Sequence, residues 1–189
     1  MDEILDRIKE LYKKAVKKNA RLQRILKKVE ELEATYADAS TFSSLTGQII
    51  GELIDDELKE NLLEGVVPQD VAQIIIPGAL IHNHEVVADV CENIQNAVNK
   101  KAGIGIKALR PFFEDRKVDG IVREIVNAPN YSKKSEAVKQ QIENIAMSAV
   151  DKSVQANAEF HYSSGLQTKI TRKSIGKCCD WCNNMVGEY

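Results

Sequence analysis

The stretch ILDRIKELYKKAVKKNARLQRILKKVEELEATY, residues 4–36, carries apolar side chains at Ile4, Ile8, Leu11 and Ala15, then at Leu22, Ile25, Val29, Leu32 and Tyr36. Steps of four and three alternate, and only Lys18 interrupts them. A narrow stripe of this kind belongs to a helix that buries one seam against a partner helix, as in a coiled coil or a helical hairpin. The spacing predicts helix over residues 2–37, with a turn at Asn19, and residues 1–40 as an N-terminal unit. Lysines at 13, 14, 17, 18, 27 and 28 fall largely outside the seam. They read first as a solvated face, and a local contact with DNA is the sharper alternative.

Outward from this stretch the pattern stays helical. Small polar residues between Asp38 and Thr46 interrupt the periodicity, so a second helix is expected from about Leu45 to Leu63, capped by Gly65. A short buried helix, QDVAQIII, is expected to end at the turn signal Pro77-Gly78. Asn83 is then placed to cap a helix with Val86, Val87, Val90, Ile94, Ala97 and Val98 on one face and Cys91 beside it. A loop follows at Gly103-Ile104-Gly105. VDGIVREIV predicts a short helix stopped near Pro129, and Ser135 opens a last long helix, with Val138, Ile142, Ile145, Ala149 and Val150 inward and Gly165 as its cap. In QTKITRKSI the alternation changes to period two, a strand signal leading into the cysteines. The expected fold is mainly α: a multi-helix body over 41–166, preceded by the N-terminal coiled coil or hairpin of 1–40 and followed over 167–189 by a short strand and cysteine knuckle.

Composition agrees with helices. Charged residues make up 29% and aromatics only 5%, a balance suited to solvated amphipathic helices rather than an aromatic-rich sandwich. With 26 basic and 28 acidic side chains the net charge is -2, so no global positive field gathers nucleic acid, and any such contact has to be local. The opening MDEILDRIKE lacks the basic start and apolar run of a signal peptide, and no run of about 18 apolar residues suggests a membrane span. The expectation is a protein made in a cytoplasm, without a membrane partner.

Three of the four cysteines, Cys178, Cys179 and Cys182, crowd together, while Cys91 stands alone; this is not a secreted disulfide framework. Cys179 and Cys182 form a C-x-x-C, whose two thiolates can reach one tetrahedral zinc, half of a closed site. Cys178 points away from its neighbour and is a poor third ligand. His82 and His84, read as loop residues, and His161, near a helix end, show no metal spacing relative to the cysteines. A redox C-x-x-C normally opens a helix within a strand-helix-strand unit, and none precedes Cys179. No nucleophile elbow, P-loop or H-E-x-x-H is present. The acid pairs Asp55-Asp56 and Glu114-Asp115 read as solvated residues, and Gly103, Gly105 and Lys107 as a connector rather than a phosphate cradle.

The C-terminal order Asn157-Ala158, Gly165-Leu166, Ile170-Thr171-Arg172-Lys173-Ser174, Cys179-Asp180-Trp181-Cys182 and Gly187-Glu188-Tyr189 resembles the phage Mu F-like minor head, or head morphogenesis, family of tailed bacteriophages. ADVCENIQNAVNKKAGIGIKALRPFF and VDGIVREIV are similar to its helical body, which extends the resemblance over much of residues 80–189. The resemblance implies a non-enzymatic, low-copy virion protein of the capsid interior, made in the bacterial host cytoplasm. Its implied partners are portal and capsid proteins, with roles in head assembly and DNA packaging or delivery. It also implies a histidine and a C-x-C after the G-x-Y that complete a zinc site with Cys179 and Cys182. The sequence ends at Tyr189, so no cofactor is expected in this chain itself; a longer natural chain is the expected explanation, and a natural short relative that no longer completes the knuckle is the alternative. A homo-oligomer through the N-terminal helix is a further expectation. Two rivals remain: an interaction protein acting in the infected cell, as an ejected effector or defence inhibitor, and a thiol oxidoreductase using Cys179 and Cys182.

Overall fold

The computed structural model describes residues 2–167, 169, 171, 172, 187 and 188. Helix α1 spans Asp2–Lys18 and α2 spans Ala20–Glu30. The break between them is the one expected at Asn19, whose side chain accepts from the backbone N–H of Arg21 at 3.0 Å and of Leu22 at 3.2 Å, two donors that a new helix leaves unpaired. The stripe differs from the expected seam. Ile8, Tyr12, Leu22 and Ile25 are buried, whereas Leu11 and Leu32 are each 40% exposed. Buried and half-buried positions on α1 follow steps of four through Ile4, Ile8, Tyr12 and Val16, because α1 rests between two helices of the same chain rather than along one coiled-coil partner.

Helix does not continue to residue 37. It stops at Glu30, and Leu32 takes a left-handed conformation with φ 59°. There the Glu33 N–H bonds to Lys28 O at 2.8 Å and the Leu32 N–H to Val29 O at 3.1 Å. This is a Schellman closure with leucine where glycine is usual. Thr35 then caps α3, Tyr36–Glu60, in a reciprocal box with Asp38.

The interruption expected at Asp38 to Thr46 is absent, since α3 runs straight through it. Its small residues serve a close approach to α6, Ser135–Ser163. The Ser43 hydroxyl donates to Ala146 O at 2.7 Å, and a Cβ on Gly47 would lie 2.9 Å from Ala146 Cβ and 3.1 Å from Glu143 Cα. The chain reverses at Leu63 and Val66, which exchange backbone hydrogen bonds of 2.9 and 3.0 Å around Glu64 and Gly65, both with positive φ. That is the geometry of a two-residue type I′ turn, so Gly65 serves a turn and not the helix cap expected of it.

The expected break at Pro77-Gly78 is also absent. One 33-residue helix, α4, spans Gln69–Lys101 with Pro77 inside it. Proline lacks the N–H of one helical bond, yet packing on both sides holds the helix together. Gly78 is where α1 comes closest, a Cβ there falling 2.6 Å from Leu5 Cδ2. Asn83 is not a cap. It is buried and accepts from the Tyr12 hydroxyl at 2.7 Å. Val98, expected inward, is 45% exposed. By length and composition α4 could cross a membrane, but 56% of its most apolar window is buried inside the fold, which accounts for its apolarity as the central core helix.

After a strap over 103–114 that has no helix or strand, α5 spans Asp115–Val126 and a 3-10 turn Tyr131–Lys133 leads into α6. Helix α6 closes in a Schellman motif: the Leu166 N–H bonds to His161 O and the Gly165 N–H to Tyr162 O, both at 3.0 Å, with Gly165 at φ 83° as expected of it. The fold is thus mainly helical, its core continuous from Ile8 and Tyr12 on α1 through Ile50 and Ile54 on α3 and Ile75 to Leu80 on α4 to Val138 and Ile142 on α6. A neighbouring set joins Leu22 and Ile25 of α2 to Phe42, Val87, Cys91, Ile94 and Val150. Residues of the N-terminal segment therefore share the core of the helical body.

Candidate functional site

Beyond α6, strand β1, Thr171–Arg172, pairs antiparallel with β2, Gly187–Glu188. Cys178, Cys179 and Cys182 fall between these strands in the sequence and lie outside the described residues, as does most of the strand expected over 167–175. Among the described residues no three histidine, cysteine or acidic side chains gather as a metal would require.

The histidines stand apart from one another in role. His82 and His84 belong to α4 and not to a loop. His82 packs edge-on against Tyr12 with ring centroids 5.3 Å apart, and burial together with nearby Lys9 lowers its pKa. His84 is buried, with Nε2 3.1 Å from Pro111 O and its ring edge-on to Phe113. Burial lowers its pKa, outweighing the Pro111 carbonyl and Glu85, which favour the charged form; a neutral imidazole donating Nε2–H to that carbonyl satisfies both. His161 is buried near the end of α6, and its Nε2 has no hydrogen-bond partner among the described residues. Cys91 is fully buried, and desolvation pushes its thiol up to about 12, so it is no nucleophile near neutral pH.

Buried amides tie the strap down. Asn157 on α6 accepts from the Leu109 N–H at 2.8 Å and donates to Leu109 O at 2.9 Å, the pairing a neighbouring strand would make. On α4, Asn96 accepts from the Ala108 N–H at 2.8 Å, and Asn99 donates to Ile106 O at 2.8 Å while accepting from Gln95. Gln95 in turn accepts from the Tyr36 hydroxyl at 2.8 Å. Outside, Arg110 meets Glu85, Asp89 and Glu92 of α4, and Lys152 joins Glu114 at 2.7 Å. Gly103 and Lys107 thus belong to a strapped connector, with Lys107 3.5 Å from Glu92.

The acid pair at 55–56 is not wholly solvated. Asp55 is buried and accepts from Tyr131 at 2.8 Å and Lys59 at 2.6 Å. Burial alone would raise its pKa, but the bonds from Lys59, Ser135 and Tyr131 hold it below the ordinary value. This arrangement locks α3 to the turn before α6.

Open grooves among the described residues include two. One, of about 450 Å³, runs between α5 and α6 past Gly120, Ile121, Gln141 and Ile145. The other, of about 530 Å³, lies where α1, the start of α2 and α4 meet, with Lys9, Lys13 and Lys17 on its rim and Tyr12, His82 and Val86 within. The lysines read from the sequence as a solvated face are exposed. The strap and its amide clasps have no sequence signature beyond scattered asparagines, of which Asn157 stands out only as part of the family resemblance. In comparison with known proteins, no family model, curated protein or solved structure matches the chain.

Proposed function

We propose that this chain is a non-enzymatic minor head protein of a tailed bacteriophage, of the phage Mu F-like kind, residing in the capsid interior beside the portal and serving head assembly and DNA packaging or delivery. The observation that carries the reading is the order of C-terminal motifs from Asn157 through the C-x-x-C at Cys179 and Cys182 to Gly187-Glu188-Tyr189. Two features support it: the mainly helical body agrees with the one the resemblance implies, and β1 pairs with β2 on either side of the cysteines in sequence, where a zinc staple would hold strand to turn. Cys179 and Cys182 would supply two of that zinc's four ligands. Portal and capsid proteins are the proposed partners.

Deleting the gene from the phage that carries it tests the proposal. The expected result is particles that assemble poorly or fail to deliver DNA, restored by supplying the chain in trans. Normal particle yield and infectivity, with a defect confined to survival against host defences, would instead favour an effector acting in the infected cell.

A further inference from the structure

We infer that the outward face of α1 and α2 is a docking surface for the phosphate backbone of duplex DNA, bound without regard to sequence. Residues 7–28 hold ten basic side chains against one acidic, Glu10, in a chain whose net charge is -2. The outermost of these are spent on carboxylates: Arg7 meets Glu57 and Glu60, and Lys28 meets Asp38 at 2.8 Å. Lys13, Lys14, Lys17, Lys18, Arg21 and Arg24 are exposed, and none has a carboxylate within ion-pairing distance among the described residues. Six uncompensated cations on two consecutive helices make a local field that the whole-chain charge conceals.

Geometry directs that field outward. Both helices lay their apolar stripes, Ile8 and Tyr12 on α1 and Leu22 and Ile25 on α2, into the core, so their opposite, basic faces point away from the body. Along α1, Lys9, Lys13 and Lys17 recur every four residues on the rim of the groove. Their spacing is about 6 Å per step along the axis, close enough to follow successive phosphates of a duplex that carries one charge per ~1.7 Å.

The same observations disfavour other polyanions. An amphipathic helix binds a lipid surface by inserting its apolar face, and here that face is already buried in the fold. Single strands are held by stacking bases on exposed aromatics, whereas the one aromatic of α1–α2, Tyr12, is 2% exposed. The inference stands on charge and burial and does not rest on the phage reading.

The test is fluorescence anisotropy of the full chain with two labelled 30-base-pair duplexes of unrelated sequence, across about 50 to 200 mM salt. Expected are equal affinities for both duplexes and a loss of about 10³-fold over that range, as roughly six phosphate contacts require. The exposed pair K13Q/K17Q should retain its helical circular dichroism and shift the logarithmic salt slope by about 2, whereas R116Q/K133Q, with the same change in net charge on other exposed positions, should bind as the parent does. Absence of binding at the lowest salt, equal losses in both variants, tighter binding to the separated strands, or binding to phosphatidylserine vesicles but not to duplex would each overturn the inference.

Discussion

A methyl group added at Gly47 would stand 2.9 Å from Ala146 Cβ and 3.1 Å from the α6 backbone at Glu143, while one added at Gly120 on α5 would meet nothing within 4 Å. Both glycines are helical, and in open space alanine is favoured over glycine by about 0.5–1 kcal/mol. Gly47→Ala should therefore destabilise by about 1–3 kcal/mol through overpacking against a backbone that cannot move aside, and Gly120→Ala should stabilise by about 0.5–1 kcal/mol. Urea denaturation of the two variants checks this, and the opposite signs are the point of the comparison. Asp55 gives a second residue-level expectation. Its folded pKa lies below the unfolded one, so the unfolded chain takes up the proton more readily. Its contribution is then present above an ordinary aspartate pKa of about 3.9 and lost as pH falls from there through the lower folded value. Unfolding curves taken as a pH series should show Asp55→Asn less stable than the parent near neutrality, the gap narrowing below about pH 4; a gap independent of pH would contradict the assignment. None of this was legible in the sequence, where the polar residues from Asp38 to Thr46 read as a break just before Gly47 and Asp55 as a solvated acid, because close approach and burial depend on partners 76 to 103 residues away.

Elements were legible where a single periodicity ran undisturbed, as in α5, α6 and the break at Asn19. They were misread where one residue type serves two ends. Pro77-Gly78 signals a turn locally, but in α4 the glycine admits Leu5 of α1. Leu32 closes α2 in a left-handed conformation that the sequence announces only when glycine occupies it. The strap over 103–114 has no periodicity to read, and its backbone groups depend on asparagine side chains in the way a strand depends on its neighbour. Replacing Asn157 with alanine leaves the Leu109 N–H and C=O without their partners. It should cost about 1–3 kcal/mol, with water entering at the strap's edge keeping the loss from being larger. Hydrogen exchange resolves the effect by element: the Leu109 amide should lose protection by more than the global loss of stability explains, while amides in the middle of α3 change only with global stability. Uniform loss across both would mean that the strap is held by other contacts.

For the molecule as a whole, charge is divided unevenly. A basic shoulder on α1 and α2 sits on a body that is acidic by difference, and the apolar seam that the sequence offered as an oligomer contact is largely taken up within the chain's own core. Mainly helical architecture was legible from composition and periodicity together; the cysteine knuckle, on which the sequence reading placed its only chemistry, lies outside the described residues. The proposal that spans the whole molecule is a minor head protein of the virion. The most direct test is quantitative mass spectrometry of purified phage particles, with and without external protease. The account predicts that the chain is present at far fewer copies than the major capsid protein and is protected from protease until the heads are opened. Its absence from particles, while it is abundant in the lysate of infected cells, would contradict the account.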